Sequence, residues 1–202
     1  MGILIRGIVL GFSIAAPVGP IGVLCIQRTL SKGRLSGFSS GLGAASADAV
    51  YGAIAGFGIT VVSSLLLDHQ TAIRVCGGVL LLYLGVQSFR AEPAETPVAT
   101  SDVHGLARDY GSTFLLTITN PVTILAFIGI FTGLGVGMSG EYAEAAILVS
   151  GVFLGSTLWW LTLSISVSLF RTRFTRSVMR RVAQLAGVVI VGFGLLALRS
   201  AM

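Results

Sequence analysis

Six apolar runs, each long enough to cross a lipid bilayer, leave this chain little choice but a bundle of membrane helices. A spanning helix needs about 20 largely apolar residues. Runs of that kind occupy residues 3–26, 37–67, 72–89, 111–137, 145–170 and 182–198. The second, fourth and fifth exceed the minimum, which permits tilt, a kink or a half-helix excursion. Composition agrees: only 10% of the 202 residues are charged, against about 25% in soluble domains. The 27 glycines suit helices that approach closely in lipid. The nearest competing arrangement has five spans, with one run re-entrant or lying in the interface.

Charge is confined to the gaps. Those at 28–34, 90–110 and 171–181 hold nearly all the Lys and Arg between runs, whereas 68–71 and the gap containing Glu141 and Glu144 are bare or acidic. Cytoplasmic loops carry the excess of Lys and Arg, so the odd-numbered gaps are expected in the cytoplasm and both termini outside. Arg6 and Arg199 then lie near outward ends, where their stems can snorkel. Gln27 and Arg28 are expected at the cytoplasmic interface. The net charge of +5 thus reads as topology rather than a polyanion groove, and no nucleic-acid partner is expected. The polar, Pro-bearing stretch at 91–110 is expected to be a cytoplasmic linker between a first three-helix repeat, 1–90, and a second, 111–202. The first run lacks a clean small-x-small cleavage pattern and is expected to remain as a helix.

Two spans are interrupted. Pro17, Gly19 and Pro20 fall inside the first run, and Asn120-Pro121 inside the fourth. Each proline removes a backbone donor and breaks the helical ladder. In hydrocarbon an unsatisfied backbone group costs several kcal/mol, so such breaks persist only where protein or a watery cavity receives those groups. Ser40-Gly41 and Ser150-Gly151 repeat in the second and fifth runs. With three helices before the repeat, the second copy must enter from the opposite side. The expected fold is therefore an all-α polytopic membrane protein, with six transmembrane helices as two inverted three-helix repeats and broken helices 1 and 4. Secondary transporters share that plan and place their sites at midplane on discontinuous helices.

Counting about 1.5 Å per residue from the cytoplasmic ends puts Pro17, Asp48 and Pro121 roughly 13–17 Å deep, near the middle of a ~30 Å core. Ser156 falls at a similar depth from the other side. Asp48 is the one acid expected well inside a run. An Asp at the bilayer centre costs about 2.5–3.5 kcal/mol, so it should face the bundle interior or a wet cavity. It is a candidate to bind a proton, an ammonium group, or both in alternation. The alternative is a structural Asp that caps a broken helix or bonds a neighbouring hydroxyl. Tyr51, one turn on, is placed to bond it. Amides freed at a half-helix N-terminus favour a carboxylate and freed carbonyls favour a cation, so the two breaks beside Asp48 suit a zwitterion. Asn120 either bridges the gap left by Pro121 or holds a substrate group, with Thr117, Thr119 and Thr123 adding hydroxyls nearby. Trp159 and Trp160 lie in the inner half of the fifth run, with Trp159 the candidate to line the cavity.

Three blocks of residues carry a resemblance. The first runs from Ala16-Pro17-Val18-Gly19-Pro20 through Arg28-Thr29-Leu30, Lys32-Gly33-Arg34, Gly37 and Gly41-Leu42-Gly43-Ala44-Ala45 to Asp48. The others are Thr119-Asn120-Pro121-Val122-Thr123 and Gly155-Ser156-Thr157-Leu158-Trp159-Trp160. In this order the chain resembles the lysine exporter family of bacterial inner-membrane amino-acid exporters over nearly its whole length. Many members have Pro-Gly-Pro where this chain has Pro17-Val18-Gly19-Pro20, and Asn-Pro-Lys where it has Asn120-Pro121-Val122, so a cation near the second break is missing. The resemblance implies a multi-pass protein of the inner membrane, in contact with lipid, that exports an amino acid or related metabolite in exchange for protons. It leaves a homodimer open. It also implies a coupling role for Asp48, the counterpart of the family's acidic position in helix two.

Other classes fit less well. An ion exporter or channel for metal cations could use an Asp among carbonyls, but soft-metal ligands are absent from the expected midplane, and no metal or other cofactor is expected. A thiol-redox enzyme would need Cys25 and Cys76 together; their places in the runs put them on the order of 25 Å apart, beyond the about 7 Å a disulfide spans. A hydrolase lacks a buried His beside the single Asp. A noncatalytic assembly subunit leaves the midplane Asp poorly explained.

Overall fold

Pro17 and Pro20 end one helix and start another. In the computed structural model, which describes residues 2–17, 19–57, 69–90, 103–120, 123, 127, 142–171 and 176–201, helix α1 covers Ile3–Ala15 and α2 covers Pro20–Lys32. Pro20 occupies the first turn of α2, where its missing N–H removes no helical bond. The two axes differ by 82°. Gly33, with φ 106°, then turns the chain into α3, Arg34–Gly56; a side chain there would be strained.

The remaining helices are α4, Gln70–Phe89, α5, Val103–Ile118, α6, Tyr142–Arg171, and α7, Arg176–Arg199. Two boundaries differ from expectation. Helix α5 starts at Val103 rather than near 111, and α7 starts at Arg176 rather than near 182, so part of each basic gap is helical. Helix α5 stops at Ile118, as expected for an interruption near Asn120, and helical structure reappears at Thr123 and Phe127. Pro121, Val18, positions 91–102 of the expected linker and positions 172–175 of the last gap lie outside the described residues.

Among the described residues, Thr71–Phe89, Tyr142–Phe170 and Arg180–Arg199 are each long and apolar enough to span a membrane, and the bent pair α1/α2 makes a fourth where it is taken as one broken span. Helix α3 falls outside that group for a physical reason. It is rich in Ser, Gly and Ala and packs between α5 and α6, so a small buried surface replaces a lipid-facing one. The architecture is a multi-pass, all-helical membrane fold.

The four largest helix pairings are unchanged by exchanging halves. Take the first repeat as α1/α2, α3, α4 and the second as α5, α6, α7. The dominant contacts are then α1 with α6, α5 with α3, α4 with α7 and α3 with α6. Swapping repeats turns the first pair into the second and each of the others into itself. That pattern is consistent with internal repeats of the family type.

Glycine seams set the closest approaches. Gly7 and Gly11 of α1 meet α6 at Leu148 and Val152, while Gly151 and Gly155 of α6 meet Leu4 and Ile8. A Cβ at Gly155 would run into the Ile8 carbonyl, a backbone atom that cannot swing aside. Gly155→Ala is therefore expected to cost about 1–3 kcal/mol despite alanine's better helix propensity. Gly192→Ala on α7 meets nothing within 4 Å and should be neutral or gain up to ~1 kcal/mol. Thermal unfolding of both variants in detergent checks the contrast; equal midpoints would contradict the seam.

Candidate functional site

The broken ends converge on one space. A cavity of about 760 Å³ is walled by Pro17, Gly19 and Pro20 at the first break, by Thr117, Thr119 and Asn120 at the second, and by Asp48 from α3. Thr123, Trp160, Arg74 and the α7 side chains Phe193 and Leu196 complete its wall. That volume falls within the about 300–1,000 Å³ typical of small-molecule sites. Its surface is mostly apolar, with one carboxylate among the described lining groups.

Asp48 is 4% exposed. Ser156 Oγ, across the α3–α6 seam, donates to its Oδ2 at 2.7 Å. Among the described residues no cation reaches its carboxylate, since the ion pairs found all involve Asp109. A buried carboxylate with one hydroxyl donor is undersatisfied as an anion. It can be completed by a proton or by a cationic group from the cavity.

Tyr51 is buried in α3 but turns to the second break. Its hydroxyl donates to the Ile118 carbonyl, one of the orphan carbonyls at the end of α5, and its ring packs on Phe127 at 5.9 Å. It serves the interrupted helix rather than bonding Asp48, and does not line the cavity. Asn120 is non-helical, with its N–H donating to the Thr117 carbonyl at 3.1 Å. Pro121 lies outside the described residues.

The two tryptophans diverge because successive helical residues point about 100° apart. Trp159, the one expected to line the cavity, instead packs edge-on against Phe12 at 5.2 Å. Trp160 forms cavity wall, buried against Gly41, Ala44 and Ala45, and its indole N–H has no partner among the described residues. Arg74 of α4 also reaches the wall, and donates to the Ser200 carbonyl at 2.8 Å.

A second polar centre corrects the sequence reading. Arg28, expected at the cytoplasmic interface, is 3% exposed, and Asp109, expected in the linker, is 2% exposed on α5. Arg28 Nη1 donates to Ser40 Oγ at 2.8 Å and to the Asp109 carbonyl and Thr113 Oγ1 at 2.9 Å each; Nη2 donates to Ser112 Oγ at 2.8 Å. Its Nε lies 3.3 Å from Asp109 Oδ1, which also accepts from Lys32 Nζ at 2.8 Å, while Ser36 donates to Oδ2. The guanidinium bonds four acceptors on α3 and α5 and faces a carboxylate that Lys32 and Ser36 also meet, so this centre ties α2 and α3 to α5; it is a clamp. The local signal was an Arg four residues before a Lys with Ser36 and Ser40 following, but nothing in it names a partner 81 positions away.

Cys25 is buried and Cys76 exposed, both as free thiols. Among the described residues, no three His, Cys, Asp or Glu side chains group as a metal site would require.

Comparison with known proteins gives a consistent result. Residues 12–201 match the family described as LysE type translocator. The chain is similar to a putative amino acid efflux protein of Bacillus subtilis (strain 168), 28% identical over 96% of this chain and 94% of that one. It is similar to an uncharacterized membrane protein of Escherichia coli (strain K12), 32% identical over 84% and 77% of the two chains. A threonine efflux protein of Escherichia coli (strain K12) is 26% identical over 88% of each. No solved structure matches the chain.

Proposed function

We propose that this chain, which belongs to the LysE type translocator family, exports an amino acid or related small zwitterionic or cationic metabolite from the cytosol. The reading rests on one observation above all: both helix breaks and a single buried carboxylate border the same cavity. The amides of Ile21 and Gly22 begin α2 beside that cavity, where a helix N-terminus attracts a carboxylate. The unpartnered indole N–H of Trp160 adds a donor on the wall. Asp48 supplies the complementary charge for an ammonium group.

Proton exchange completes the cycle. Asp48 holds either a proton or the substrate's cationic group, so loading one releases the other. The two repeats are inverted and rock about the shared site to expose it alternately to each side; the exchange-symmetric packing supports this. The basic gaps lie in the cytoplasm and both termini outside, as the distribution of Lys and Arg favours, in a bacterial inner membrane. No covalent chemistry is involved, and the family is one of translocators rather than enzymes.

The test is uptake into inside-out vesicles with an acid interior. A mixture of labelled amino acids should accumulate in vesicles containing the protein and not in empty ones. Accumulation of a labelled divalent metal cation instead, with no amino acid taken up, would overturn the proposal in favour of an ion exporter.

A further inference from the structure

A second cavity, of about 630 Å³, opens between the C-terminal ends of α2 and α4 and the start of α5, apart from the one holding Asp48. Its polar wall is cationic: Arg28, Lys32, Arg90 and Arg108 all line it, and no carboxylate does among the described residues. Arg28 and Lys32 share Asp109. Arg108 donates to the Tyr83 hydroxyl at 3.0 Å, while no ion pair occupies Arg90 or Arg108 among the described residues.

Two neutralising effects compete with a ligand here, and their size decides the matter. Helix C-termini carry about half a negative charge each, so the ends of α2 and α4 together supply roughly one. Asp109 supplies one more. Four cations therefore leave an excess of about two positive charges around the cavity. Its wall also includes Ser88, 3% exposed, whose hydroxyl has no hydrogen-bond partner among the described residues. A buried, unpaired hydroxyl is costly, and one set in a cationic wall is complete when an anion's oxygen meets it.

The geometry points to a phosphate-anion site at this cavity, held by Arg90, Arg108 and Lys32 with Ser88 as the buried donor. Guanidinium forks match phosphate oxygens in pairs, and the volume exceeds what a bare phosphate fills, leaving room for an attached polar group. The same chemistry is offered by the headgroup of an anionic phospholipid and by a soluble phosphate compound. The site is independent of the transport proposal, since its readout is binding.

The experiment uses full-length protein in nanodiscs and follows the thermal unfolding midpoint. One arm replaces part of a phosphatidylcholine bilayer with phosphatidylglycerol; the other keeps phosphatidylcholine and adds glycerol phosphate, with chloride at equal ionic strength as control. A saturable rise of roughly 5 °C at large excess over Kd is expected in one arm, and the arm that responds identifies the source. The rise should vanish in Arg90→Gln/Arg108→Gln, whose altered side chains are exposed and leave the Arg28–Asp109 clamp intact, and should need several-fold more ligand in Ser88→Ala. No rise in either arm, the same rise with chloride, or an unchanged rise in the double variant would each overturn the site.

Discussion

Asp48→Asn is expected to insert and fold like the parent protein while its proton-driven export falls to the level of empty vesicles. Asparagine keeps the shape of the side chain, and its carbonyl oxygen can still accept from Ser156 Oγ, now 2.7 Å from Oδ2. What disappears is a charge that a proton can cancel. On the proposed mechanism that charge links substrate release to proton loading, so no partial function should survive in the coupled direction. Ser156→Ala tests the same centre more gently. It removes the carboxylate's one described donor, a hydrogen bond to a charged group worth about 1.5–3 kcal/mol, and should reduce export by roughly tenfold without uncoupling it. Both variants are compared in inside-out vesicles at matched protein content, with and without an imposed pH gradient. Full gradient-dependent export by Asp48→Asn would remove Asp48 from the coupling step.

Asp48 was legible in the sequence because a charged residue deep in an apolar run has few innocent explanations. Pro17, Pro20 and the interruption at Asn120 were legible on the same principle, as violations of a helix that lipid would otherwise enforce. Asp109 and Arg28 were not. Each sits where an apolar run ends, and charge there is ordinary, so a composition-based boundary assigned Asp109 to a loop although α5 already begins at Val103. Phase was lost in a similar way. Depth counting put Trp159 and Trp160 at one level and could not tell their faces apart, so Trp159 was favoured, whereas the packing of α6 on α1 and α3 turns Trp160 to the cavity. Tyr51 was expected to bond Asp48, but its partner is an orphan carbonyl on another helix, a need created by the break at Ile118. The Gly7–Gly11 and Gly151–Gly155 spacings were a readable close-packing signal that the Ser-Gly echo overshadowed.

Arg28→Met is expected to be the most destabilising single change outside the cavity. The guanidinium is buried and makes four hydrogen bonds, one of them to the Asp109 carbonyl, besides its approach to the Asp109 carboxylate. Removing one member of a buried ion pair costs about 3–5 kcal/mol, because the survivor stays in a medium that solvates it poorly. Here Lys32 and Ser36 remain on the Asp109 carboxylate, which moderates the penalty towards the lower figure, about 3 kcal/mol. Lys32→Met touches the same carboxylate from a side chain that is 52% exposed, and water can replace it, so the loss should stay under about 1 kcal/mol. Pairing Arg28→Met with Asp109→Leu removes the stranded charge as well, and the double variant should be more stable than the two single losses added together. Unfolding in detergent, followed by loss of helical signal with rising temperature, ranks the four proteins. Equal midpoints for Arg28→Met and Lys32→Met would mean that Arg28 is solvated after all. The clamp joining α2 and α3 to α5 would then contribute no more than a surface contact.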